Sequence, residues 1–151
     1  MAHSYISTKK GGYERTVCVT DSILHVFIYF FIVSSNDCPS RGVLKPTINS
    51  YLEELSGNNI SFMDLYLEEF IDEKSIRKSY LEVLGLMKRR IESYGESIQN
   101  EILNNLSEMK KVFNKPVPTK KIFDLINDVS WLLHKESVHP SDSFKWFEDK
   151  L

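Results

Sequence analysis

After Asn36 the apolar residues of this chain recur at helical spacing. In "GVLKPTINSYLEELSG", Leu44, Ile48, Tyr51 and Leu55 fall on one face, and Asn49, Ser50 and Glu53 fall on the other. Gly57 stands where a helix would stop. "SFMDLYLEEFI" opens with Ser61 three residues before Asp64, a variant of the capping box. Leu65, Tyr66, Leu67, Phe70 and Ile71 then cover more than one face, as in a helix buried among others. Ile76, Tyr80, Val83, Leu84, Met87 and Ile91 form a further stripe, and Ile98, Ile102, Leu106, Met109 and Phe113 form the next. Pro116 and Pro118 interrupt the pattern. Thr119 can cap a helix with Ile122, Leu125, Ile126, Val129, Leu132 and Leu133 inward. Trp131 sits at the flank of that face and reads as core. "SDSFKWFEDKL" reads as a short helix or an apolar docking tail. The pattern predicts an all-α fold, a bundle of five to six helices joined by short loops.

Ahead of this lies a different pattern. Ile23 to Val33 is a run of eleven residues broken only by His25. A membrane-spanning helix needs about 20. Eleven matches the apolar core of a secretory leader. Lys9, Lys10 and Arg15 precede the run, and Val33 and Ser35 give a cleavage-site pattern. The expected division is therefore a leader over residues 1–35, with an atypically long n-region, and a helical domain over 36–151. The 22 residues before the run and the abutting Asp21 fit a leader less well. A buried strand of a cytosolic fold and an uncleaved anchor are the alternatives for the same run. Asn59 and Asn105 begin N-x-S triplets, the acceptor pattern for glycosylation in a secreted chain.

Composition narrows the function classes. The 151 residues suggest one domain. With 42% hydrophobic and 26% charged residues, the chain is an ordinary globular one. A net charge of -2 argues against nucleic acid as the main partner. Lys88, Arg89 and Arg90 are the longest basic run, which on a helix reads first as a solvated face. Two cysteines, Cys18 and Cys38, are too few for a disulfide framework. No zinc-ligand spacing, nucleophile elbow or phosphate loop appears, so no catalytic residue, metal or cofactor is expected.

The ordered set of helical segments resembles the class II helical cytokines, the interleukin-10 and interferon-gamma family. "LYLEEF" (Leu65 to Phe70) followed by "SIRKSYLEVLGLMKRRI" (Ser75 to Ile91) is similar to its central helices. "MKKVFNK", "KKIFDLINDVSWLL" and "DCPSRGVL" are similar to its later helix end, its last core helix and its mature start, nearest the interleukin-22 and -26 branch. The likeness covers most of residues 37 to 135. Here about six residues separate the first helix from the central pair, where the family has two further short helices, and the family's paired cysteines are absent. The resemblance implies a secreted, non-catalytic ligand that bridges two class II cytokine receptor chains. It places receptor contacts on Asn49, Ser50 and Glu53, with Lys88, Arg89 and Arg90 as a second patch. It also implies an intertwined homodimer, with Pro116 and Pro118 stiffening the connection to an exchanged last helix. The competing expectation is an intracellular regulator of the Bcl type that binds amphipathic helices. In that reading, residues 23–33 form a core helix.

Overall fold

A computed structural model describes residues 3–10, 13–56, 64–66, 73–106, 112–133 and 145–150. The chain is mostly helical, as the periodicity predicts, and two small sheets accompany the helices. Strands β1 (His3–Lys10) and β2 (Tyr13–Thr20) pair antiparallel, with Ile6 opposite Val17 and Ser4 opposite Val19. Helix α1 (Asp21–Ser35) follows directly. A 3-10 turn (Arg41–Leu44) leads into α2 (Lys45–Ser56). Strand β3 (Asp64–Tyr66) runs parallel to β1. Helices α3 (Lys74–Glu92), α4 (Asn100–Asn104) and α5 (Thr119–Leu133) complete the helical layer. Strands β4 (Ser97–Ile98) and β5 (Val117–Pro118) make a two-stranded bridge between α3 and α5. Strand β6 (Lys145–Lys150) pairs antiparallel with β2, giving the larger sheet the order β3-β1-β2-β6.

Helix α1 is the hub. It packs against β1, β2, α2, α3 and α5. Leu24, Val26, Phe27, Ile28 and Phe31 are fully buried, and Phe30 nearly so. No residue of the helix is exposed, which is why the sequence shows an apolar run broken only by His25 instead of a stripe. Burying each such side chain contributes on the order of 1.5–3 kcal/mol. Residues 1–35, expected to be a leader, thus hold β1, β2 and α1 of the full-length chain. Cleavage after Ser35 would strip the core of its central helix and the sheet of two of its four strands.

The amphipathic helices follow their predicted stripes. Thr47, Tyr51 and Leu55 face inward from α2. Tyr80, Val83, Leu84, Met87 and Ile91 do so from α3, and Ile122, Leu125, Ile126, Val129, Trp131, Leu132 and Leu133 from α5. Helix α3 ends with Arg89 and Arg90 in its last turn, where cations suit the negative end of the helix. Just beyond, Gly95 takes φ 73°, a left-handed conformation that glycine accepts at no steric cost.

Three expectations need correcting. The terminal segment, read as a helix or tail, forms β6 over Lys145–Lys150. Asp64–Tyr66, read as the start of a helix, is strand β3, because its backbone pairs with β1; residues 57–63 and 67–72 lie outside the described ones. Of the long helix expected over residues 98–113, the described residues form only α4, Asn100–Asn104; residues 107–111, with Met109 of the expected stripe, lie outside them. The end of α4 is fixed by Asn104, whose side-chain amide donates to the Phe113 carbonyl (2.8 Å) and accepts from the Phe113 N–H (2.7 Å).

Candidate recognition surface and the polar clusters beneath it

Helix α2 lies at the surface with its polar face outward. Lys45, Asn49, Leu52, Glu53 and Ser56 are exposed, and Ser50 is half-buried. At 100° per residue these positions share one side of the helix. Asn49, Ser50 and Glu53, the residues singled out from the sequence, therefore stand on one outward surface. Leu52 adds an apolar side chain, 39% exposed, beside them.

The second predicted patch divides. Lys88 donates from Nζ to the Asn127 side-chain oxygen at 2.8 Å and so ties α3 to α5. Arg90 meets the Asp37 carboxylate at 2.8 Å and holds the turn after α1 against α3. Of the three, Arg89 alone projects as an exposed cation. Of the predicted glycosylation positions, Asn105 is exposed at the end of α4, and Asn59 lies outside the described residues.

Three polar clusters, none anticipated from the sequence, sit in or under the core. At the start of α1 the Ser4 hydroxyl donates to the Asp21 carboxylate, and His25 Nδ1–H donates to the Asp21 carbonyl at 2.7 Å. All three residues are buried. These bonds fasten β1 to the first turn of α1. The serine addresses the aspartate and the histidine addresses a backbone carbonyl, so these bonds do not form a serine–histidine relay of the nucleophilic kind. Second, the Tyr51 and Tyr80 hydroxyls meet at 2.6 Å in full burial, with the Phe31 ring 5.2 and 4.5 Å from theirs. Burial pushes both phenols well above their ordinary range. Both remain neutral hydrogen-bonding groups. Third, Cys38 Sγ lies 3.5 Å from the Ser40 hydroxyl, which lies 2.6 Å from that of Ser79. The chain of contacts connects the buried thiol to α3. Cys18 is half-buried on β2, and neither cysteine is in a disulfide.

Glu54, on the inner flank of α2, has its carboxyl pushed up by burial. The neighbouring charge of His25 lowers it and that of Glu53 raises it further. Among the described residues no group of three or more His, Cys, Asp or Glu side chains is arranged to hold a metal ion. No described helix is long and apolar enough to cross a membrane. Neither a protein-family model, nor a curated protein, nor a solved structure matches the chain.

Proposed function

We propose that this protein acts by recognising another protein, not by catalysis, and that the outward face of α2 is its contact surface. The observation that carries the reading is the division of labour along α2. Thr47, Tyr51 and Leu55 anchor the helix to the core, while Asn49, Leu52 and Glu53 stay exposed. An exposed leucine flanked by polar side chains on a rigidly held helix offers a partner one apolar contact inside a polar rim.

Two finer readings divide on residues 1–35. A secreted ligand for a two-chain class II cytokine receptor discards them. An intracellular regulator keeps them. The burial of Phe27, Phe30 and Phe31 at the centre of the core supports the form that keeps them. Intact mass of the protein recovered from cells and medium separates the two: full-length chain in cells supports retention, and a chain beginning at Asn36 in the medium supports the ligand.

The recognition reading itself is tested by placing a photocrosslinking residue at Leu52 or, as control, at exposed Lys115 in the full chain. One discrete protein adduct at Leu52, lost on Asn49→Arg with Glu53→Arg, supports the surface. Equal labelling from both positions overturns it.

A further inference from the structure

Helix α3 carries a second exposed face, and its residues are arranged about one glycine. Lys74, Lys78, Glu82, Gly85, Arg89 and Glu92 are all exposed. At 100° per residue they fall within about 80° of arc, a single stripe along the helix. Gly85 is mid-helix, and a methyl group added there would meet nothing within 4 Å. Packing within the chain therefore does not require glycine at this position. A mid-helix glycine costs about 1 kcal/mol relative to alanine. Glycine's positive contribution in such a place is to let another backbone approach closely.

The charges on either side of Gly85 are opposite in order. Glu82 lies three residues before it and Arg89 four after. Lys78 lies seven before and Glu92 seven after. None of these four makes an ion pair within 4 Å among the described residues. A copy of the same helix laid antiparallel across Gly85 brings Glu82 opposite the second copy's arginine and Lys78 opposite its glutamate. By symmetry each contact occurs twice, as a two-fold interface requires.

We infer that α3 is a self-association surface: two copies of this chain pair antiparallel through α3, crossing at Gly85. The mode differs from exchange of the last helix, since α5 stays within its own chain. A single helix pair covers less than a standard interface of about 1,600 Å², so the dimer is a weak one, with dissociation in the micromolar range. Because its charges are exposed, salt weakens it.

Sedimentation of the full chain from about 1 µM to about 200 µM reads the association directly. The expected result is a concentration-dependent shift from 17.6 kDa to twice that mass. Glu82→Arg alone and Arg89→Glu alone are each expected to raise the dissociation constant about tenfold or more, and the double variant to restore it to within about threefold. Since these are exposed positions, circular dichroism is expected to be unchanged in all three. A monomer throughout the range overturns the inference. So does a dimer indifferent to either single reversal, or one that the double reversal fails to rescue.

Discussion

Helices α1 and α3 solve opposite problems. Eleven of the 15 residues of α1 are buried, against six of the 19 in α3. Helix α1 is enclosed by both β-strands before it and by three helices. Helix α3 lies on the layer's outside, with one face on α1 and α5 and the other in water. A helix of the first kind supplies cohesion and has no surface to offer. A helix of the second kind has surface to spare, and its outward residues are free to serve a partner. The same contrast governs what could be read in advance. Apolar residues spaced at 3.6 mark an amphipathic helix and little else, so α2, α3 and α5 were legible almost to their ends. A dense apolar run is less specific, because a buried hub, a leader and an anchor all demand one.

The sharpest test of the contrast is to truncate a large side chain in α1 and an exposed one in α3. Phe31→Ala is expected to destabilise the protein by about 3–5 kcal/mol, since it opens a cavity against both Tyr51 and Tyr80. Glu82→Ala in dilute solution is expected to fall within about 0.5 kcal/mol of the parent. Urea unfolding followed by circular dichroism measures both. Comparable losses at the two sites would mean that α1 is not the hub.

Next in size is the tyrosine pair that joins α2 to α3. Tyr51→Phe or Tyr80→Phe alone leaves one buried hydroxyl without its partner and is expected to cost about 1–3 kcal/mol. The double variant removes both polar groups together and is expected to lose less than the sum of the singles. A double-mutant cycle by denaturant unfolding reads the coupling directly. Strict additivity would show that the 2.6 Å contact carries no interaction energy.

What the sequence withheld was mostly long-range pairing. The β1–β2 hairpin did carry a local signal: β-branched residues (Ile6 and Thr8; Thr16, Val17, Val19 and Thr20) lie on both sides of Gly11-Gly12, a two-residue turn pattern. Strands β3 and β6 carried none. Asp64–Tyr66 and Lys145–Lys150 are strands only because β1 and β2 offer them open edges, and a partner some 60 or 130 residues away leaves no mark on local periodicity. The candidate surface was half legible. Asn49, Ser50 and Glu53 follow from the α2 stripe alone. The ties of Lys88 to Asn127 and of Arg90 to Asp37 depend on which helices and turns meet, so a basic run in sequence became a part-buried brace, a surface ion pair and one unbraced exposed cation.

On α3 itself, Gly85→Ala is expected to stabilise the monomer by about 1 kcal/mol, because alanine removes backbone freedom from the unfolded chain and meets no neighbour in the folded one. Thermal unfolding at low protein concentration measures it. A loss of stability there would mean that the glycine serves the monomer after all, and would remove the reason for seeking a second backbone against it.

The smallest effect belongs to Glu54, at the boundary between α2 and the core. Its carboxyl is raised in the folded protein, chiefly by burial, so the folded state keeps this proton more tightly than the unfolded one. The folded state then binds more protons than the unfolded state over that window, and stability falls as pH rises from the ordinary carboxylate value to the raised one. The contribution is fully favourable below the unfolded value, and above the raised value the penalty is constant. Glu54→Gln removes the titration. The variant is expected to be more stable than the parent at neutral pH, by no more than about 0.5 kcal/mol since water screens a half-buried group. The difference should shrink as acid protonates the parent. His25 opposes the shift, so its removal by His25→Asn should enlarge the pH dependence attached to Glu54, over and above any constant loss from the broken bond to the Asp21 carbonyl. Stability measured against pH for the parent and the two variants separates burial from the charge of His25. A glutamine variant less stable than the parent at pH 7 would show that burial does not dominate at this carboxylate.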